Sequence, residues 1–319
     1  MNTVAEKLRT IGVLPVLNVK KVESAEPLAQ ALINGGLPAI EVLFRNENAI
    51  AVMQTMKKNH PEMVVGAGTI LTLDQCKTAI DAGADFIVCP GYVQSLVDYC
   101  NEKGVLIVPG CSTASEIQVA YNSGLRVVKF FPAELQGGLN MIKQVGSAFS
   151  GMKFVPTNGI NMDNFASYLK EECIAAVGGS FMAPADLVDK GDWAAIEARC
   201  KLAVERAMGF TLAHVGVNAD GEDDATRIAT EFSDLFMFPV LPKSKSVFAG
   251  AAVECMKLNG RGAKGHIGIR TNDVDRAVAY LKKKGIGVIP ETAGYTASGA
   301  LAYIYLDVEV AGFALHLVK

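Results

Sequence analysis

Arg126-Val127-Val128-Lys129-Phe130-Phe131-Pro132-Ala133-Glu134 reads as a short β-strand, because β-branched and aromatic residues run together until a proline stops them. One lysine sits among these apolar neighbours. Either it reaches solvent at the strand end with its stem along apolar surface, or it is held inside. Inside, desolvation favours the neutral amine, the form that attacks a carbonyl carbon. The surroundings of the strand decide between the two.

Working outward, short apolar runs recur at Ile11–Leu17, Ala39–Phe44, Met63–Gly66, Phe86–Cys89, Val105–Val108, Val127–Phe131, Phe154–Pro156 and Ile174–Val177. Helix-like segments separate them. Thr72-Leu73-Asp74-Gln75 and Thr113-Ala114-Ser115-Glu116 fit capping boxes, with Gly83 and Gly124 as stops. Asn161 is placed to cap a further helix. Strands alternating with helices predict a parallel sheet with right-handed crossovers, and eight such units close a (β/α)8 barrel. An open doubly wound sheet is the competing arrangement. No G-x-G-x-x-G follows the first run, so the barrel is expected.

The net charge of −3 over 319 residues gives no reason to expect nucleic acid or an anionic membrane as partner. Seven cysteines, an odd number without C-x-x-C pairs, suit a reducing compartment rather than a disulfide framework or a thiolate zinc site. No apolar run reaches membrane-spanning length, and the first run contains Pro15 and lacks a cleavage pattern. A cytoplasmic location is expected.

In a barrel, chemistry belongs at the carboxyl ends of the strands. Period-two alternation along the second strand puts Glu41, Leu43 and Arg45 on one side. A carboxylate and a guanidinium there also fit a structural ion pair, and glycines after strands also fit tight turns. What ties them together is convergence at one end: an amine, a carboxylate, an arginine, and glycine-bearing loops after the seventh and eighth strands. Those two loops often hold a phosphate in this fold.

Glu41-Val42-Leu43-Phe44-Arg45, Val65-Gly66-Ala67-Gly68-Thr69, Cys89-Pro90-Gly91, Pro109-Gly110-Cys111-Ser112-Thr113, Lys129-Phe130-Phe131-Pro132-Ala133-Glu134 and Gly178-Gly179-Ser180 occur in that order. The set closely resembles the 2-keto-3-deoxy-6-phosphogluconate / 4-hydroxy-2-oxoglutarate aldolases, over about the first 206 residues. The resemblance implies a class I, pyruvate-forming aldolase on a trimeric (β/α)8 barrel, acting on a small 2-keto acid. It implies Lys129 as the Schiff-base lysine and Glu41 as general acid/base, with no cofactor beyond the covalent imine. Arg45 and Thr69 would hold the pyruvate carboxylate, and Pro90 and Phe131 would line the pocket. Gly159, Gly179 and Ser180 would contact a distal phosphate. Where the family has Gly-Gly after the seventh strand, this chain has Asn158-Gly159, which leaves open whether the substrate is phosphorylated. The other readings are a regulatory protein whose barrel is a relic, against which the presence of both Glu41 and Lys129 argues, and a different phosphate-binding barrel enzyme with Lys129 structural.

The helix-like stretch Asp192–Met208 closes this segment, giving an expected first domain of residues 1–208 and a second of 209–319. The second is an internal repeat. Leu212-Ala213-His214-Val215-Gly216-Val217 opens one half and Lys264-Gly265-His266-Ile267-Gly268-Ile269 the other. Helix-like segments follow at Asp223–Leu235 and Val274–Lys284, then short strands. A β-α-β-β-β unit occurring twice resembles the vicinal-oxygen-chelate superfamily, which includes glyoxalase I and bleomycin-resistance proteins. The resemblance implies a divalent metal held by His214, Glu254, His266 and His316, with His316 standing where glutamate is more usual. A set of histidines and carboxylate suits Zn, Ni, Fe or Mn. A metal-free module used for assembly or ligand sensing is the alternative. The remaining histidine, His60, precedes Pro61 at an apparent helix end and reads as a surface residue.

Overall fold

All eight apolar runs form or border parallel strands in the computed structural model, which describes residues 3–319. They are β1 (Val13–Leu17), β2 (Ala39–Leu43), β3 (Val64–Gly68), β4 (Phe86–Cys89), β5 (Leu106–Cys111), β6 (Val127–Phe130), β7 (Lys153–Pro156) and β8 (Val177–Gly179). Their hydrogen-bonded order is β7-β6-β5-β4-β3-β2-β1-β8. Parallel bridges Phe154↔Ile174 and Thr157↔Gly178 bring β7 back to β8 and bend the sheet into the expected barrel. The last strand starts later than its apolar run, because Ile174 makes only an isolated bridge. The chain divides into two compact units, Met1–Ala207 and Met208–Lys319. Residues 1 and 2 of the expected first domain lie outside the described residues.

Leu14, Ala39, Val64, Phe86, Val88, Val108, Val127 and Val155 share one buried cluster, the barrel interior. The N-terminal helix Thr3–Ile11 adds Ala5 and Leu8 to that cluster. Burying each large apolar side chain contributes on the order of 2 kcal/mol. Both capping boxes are formed, Thr72 with Gln75 and Thr113 with Glu116. Asn161 caps less directly: its side chain accepts from the N–H groups of Asp163 and Asn164, and the helix proper is Phe165–Leu169.

The second unit has its own sheet. Its strands are β9 (Thr211–Asn218), β10 (Val240–Pro242), β11 (Ser246–Ala249), β12 (Val253–Met256), β13 (His266–Arg270), β14 (Gly294–Tyr295), β15 (Leu301–Val310) and β16 (Phe313–Val318). Their order is β10-β11-β12-β9-β13-β16-β15-β14, so the two repeats join where β9 runs antiparallel to β13. The helix Glu222–Phe236 carries acidic residues in its first turn, which suits the positive end of its dipole. It buries Ala225 and Ala229 against Val247, Ala249 and Cys255.

Candidate active site

Inward-facing residues two apart extend the barrel cluster upward: Val127 leads to Lys129 on β6, and Ala39 leads to Glu41 on β2. The two side chains meet. Lys129 Nζ donates to Glu41 Oε1 at 3.2 Å. Lys129 is 7% exposed and Glu41 1%, so this is a buried pair. Burying two charges costs several kcal/mol each before their attraction is counted, so the pair is weak support for stability alone. The Phe131 ring stands 5.6 Å from Nζ and completes an apolar wall.

Room for the carboxylate comes from Gly68 on β3. A Cβ added there would lie 2.3 Å from Glu41 Oε1. A glycine inside a strand signals such a close approach, but the sequence does not say to what.

Arg45 lies past the end of β2, where strand alternation no longer fixes a side chain's direction. It is exposed, and its Nε donates to Thr69 Oγ1 at 3.2 Å. Thr69 follows β3 with φ of 60°. These two form a polar pair at the end of neighbouring strands. Pro90 follows β4 and is exposed.

After β7, Asn158 and Gly159 both take left-handed backbone, with φ of 79° and 81°. Asparagine adopts that region more readily than most residues. The loop is tied down by Glu134, whose N–H donates to the Asn158 carbonyl at 3.3 Å. The Glu134 side chain lies against Gly159, where an added Cβ would fall 2.5 Å from Glu134 Cβ. Tyr168 Oη donates to Glu134 Oε1. Burial, then that carboxylate, pushes the Tyr168 phenol above its ordinary range. Gly179 is half-buried and Ser180 exposed beyond β8. Neither Glu134 nor Tyr168 was singled out by sequence, since 34 residues separate them.

Cys89 and Cys111 lie at the carboxyl ends of β4 and β5, and burial pushes both thiols up to about 12. They stay protonated. His60 departs from its surface reading: it is buried, with Nε2 3.0 Å from Glu26 Oε1. The proline after it ends the helix, and the ring folds back towards Glu26 in the preceding helix Ala25–Asn34.

A second cluster lies in the other unit. His214 (β9), Glu254 (β12), His266 (β13) and His316 (β16) converge from the four central strands. His316 Nε2 is 3.0 Å from His214 Nε2. Glu254 Oε2 is 3.2 Å from His266 Nε2 and 3.3 Å from His214 Nε2. One ligand atom from each of the three histidines lies within 4.8 Å of the others. Ser246 Oγ donates to Glu254 Oε1 at 2.7 Å, leaving Oε2 to face the rings. His266 Nδ1 is buried with no hydrogen-bond partner among the described residues, so that ring's polar contacts are all at Nε2.

Two glycines make this convergence fit. An added Cβ on Gly216 would lie 2.0 Å from the His266 ring, and one on Gly268 would lie 2.6 Å from His214. Burial, then neighbouring imidazoles, pushes His316 down to about 4. Burial also lowers His214. Both rings are therefore neutral at pH 7, the state that binds a metal. The donors fit a borderline divalent ion.

The family described as "Aldolase: KDPG and KHG aldolase" matches residues 4–199. A Treponema pallidum 2-dehydro-3-deoxy-phosphogluconate aldolase is 41% identical over 198 residues, 62% of this chain and 94% of that protein. The Escherichia coli KHG/KDPG aldolase is 39% identical over 206 residues, 64% of this chain and 97% of the relative. Among solved structures, a Legionella pneumophila KDPG aldolase holding pyruvate as a covalent carbinolamine superposes with a TM-score of 0.61 at 33% identity. It covers 62% of this chain and 97% of its own. The match ends before the second unit begins. A carbon–carbon lyase follows from these relatives, and on the matched residues the chain belongs to the KDPG and KHG aldolase family.

Proposed function

We propose that the barrel cleaves a 2-keto-3-deoxy-6-phospho sugar acid, 4-hydroxy-2-oxoglutarate, or both, giving pyruvate and an aldehyde. The aldehyde is glyceraldehyde 3-phosphate or glyoxylate accordingly. The observation that carries this is the buried Lys129–Glu41 contact at 3.2 Å at the carboxyl end of the barrel.

A proton passing from Nζ to Oε1 leaves an amine that attacks the C2 ketone; Glu41 then gives that proton to the carbinolamine hydroxyl, which departs as water, leaving the protonated imine and a carboxylate. The C3–C4 electron pair then flows into the imine as an enamine. Glu41, as carboxylate, takes the C4 hydroxyl proton while the aldehyde forms, then returns a proton to C3. Water releases pyruvate and restores Lys129. Arg45, with Thr69 beside it, holds the substrate carboxylate as a charge-assisted pair, which fixes C2 against the amine. Pro90 and Phe131 line the pocket. Asn158, Gly159, Gly179 and Ser180 meet the distal group. The reading includes a cytoplasmic homotrimer, and no described helix is long and apolar enough to cross a membrane.

The test is borohydride reduction in the presence of pyruvate, followed by intact mass and peptide mapping. One adduct on Lys129 is expected, and an unmodified chain removes the aldolase mechanism.

The second unit we read as a glyoxalase-like pair of βαβββ modules that holds a divalent metal through His214, Glu254, His266 and His316. The convergence of three imidazoles and a carboxylate supports it. A metal there would supply Lewis acidity toward an oxygen ligand. Metal analysis of the wild type against the His214→Ala/His266→Ala double variant tests this; no metal in either ends it.

A further inference from the structure

The surroundings of the histidine cluster carry chemistry beyond metal binding. Tyr305 on β15 packs its ring 4.9 Å from His316 and 6.1 Å from His266. Arg261 sits over the other end of this stack, its guanidinium 5.8 Å from the Tyr305 ring centre. Arg261 is exposed, and its ion pair with Glu291 is 3.7 Å, longer than a hydrogen bond. A guanidinium has five N–H donors, so one distant carboxylate does not exhaust it. The cluster therefore has an exposed cation about one aromatic ring away.

A single carboxylate among the four donors would leave a divalent ion with a net positive charge. The residues also supply just four donors to ions that commonly take up to six. A ligand matched to both features is anionic and offers two adjacent oxygens, and a 2-oxo carboxylate does this at one end. Tyr305 spaces Arg261 from the cluster, so a ligand that reaches both needs a second anionic group several chain atoms along. The substrates proposed for the barrel have that form, with a 2-oxo acid at one end and a phosphate or carboxylate at the other.

We infer that His214, Glu254, His266, His316 and Arg261 form a second binding site for a doubly anionic 2-oxo acid, the substrate class of the barrel. The inference rests on the metal reading given above. The 2-oxo carboxylate faces the metal donors, and the distal anion meets Arg261 beside Tyr305.

The experiment uses full-length protein carrying Lys129→Ala, so that the barrel forms no imine. Wild type capped by pyruvate and borohydride serves if that variant does not fold. Either is loaded with Co²⁺ and titrated with 2-oxoglutarate, pyruvate and succinate, following the visible absorption of the cobalt. 2-Oxoglutarate has no 4-hydroxyl group and is not cleaved. It is expected to perturb the spectrum with affinity about tenfold above pyruvate, the scale of one charge-assisted contact. Succinate, lacking the 2-oxo group, is expected to leave the spectrum unchanged. Arg261→Gln is expected to erase the preference while leaving pyruvate binding unaltered. A cobalt spectrum indifferent to both 2-oxo acids, an equal response to succinate, or a preference that survives Arg261→Gln overturns the inference and leaves the metal reading standing. Failure to take up cobalt at all overturns both.

Discussion

Gly68 and Glu41 are complementary: the carboxylate occupies the space a side chain at 68 would fill, with an added Cβ only 2.3 Å from Oε1. Gly68→Ala must displace Glu41 from Lys129 or distort β3. A displacement near 1 Å from productive geometry costs about 10²-fold in rate. Pyruvate release from 4-hydroxy-2-oxoglutarate should fall by that order while pyruvate still traps on Lys129. Unchanged turnover would show that the contact has no catalytic consequence.

Glu41→Gln keeps the shape and removes the carboxylate that we propose carries the proton. Turnover is expected to fall by roughly 10²–10⁴-fold, the range for loss of general acid–base catalysis. Borohydride trapping of pyruvate should persist in part. Single-turnover kinetics separate the two steps, and equal losses in both would place Glu41 in imine formation alone.

Asn158 brings a side chain to the loop after β7, which we propose meets the distal group, in backbone glycine adopts without cost. Asn158→Gly should raise kcat/KM for a phosphorylated 2-keto-3-deoxy acid about tenfold relative to 4-hydroxy-2-oxoglutarate, a discrimination of ordinary size for one pocket contact. A ratio that does not move removes Asn158 from substrate selection.

Glu116 closes the second capping box, and the N–H of Ser112, then the Thr113 hydroxyl and N–H, hold its carboxyl below the usual range despite partial burial. The folded state therefore takes up this proton at lower pH than the unfolded chain. Its contribution is complete above the ordinary glutamate value of about 4.3 and is lost as pH falls through the lower folded value. Glu116→Gln should cost about 1 kcal/mol at pH 7, the usual scale of a cap. Thermal melts of the two proteins should draw together as pH falls below the ordinary glutamate value, and a constant gap between them would contradict this.

Much of the barrel was readable because parallel strands buried on both faces are short apolar runs with punctuated helices between them. Glu41 was placed inward by alternation along its strand, whereas Lys129 stood out as a lone lysine in an apolar run and drew its role from the family resemblance. Arg45 shows where that logic stops: beyond Leu43 the chain leaves the sheet, and only the Thr69 contact places the guanidinium. Glu134, Tyr168 and Gly68 were legible as residue types but not as partners, because their contacts span different loops and strands. His60 was misread for a similar reason, as its partner Glu26 belongs to the preceding helix. In the second unit, the opening strands and helices of each repeat were clear. The edge strands β10 and β14 are three and two residues long and have too little pattern to locate.

The seam between β9 and β13 has an evolutionary consequence. Gly216 lies opposite His266, and Gly268 opposite His214, in the antiparallel register. Any larger residue at either glycine would evict the histidine across from it. A lineage that gives up one of these histidines is released from keeping the glycine opposite, and one that keeps the histidine is not. The two repeats can diverge freely elsewhere, but at this crossing each inherits a constraint written in the other.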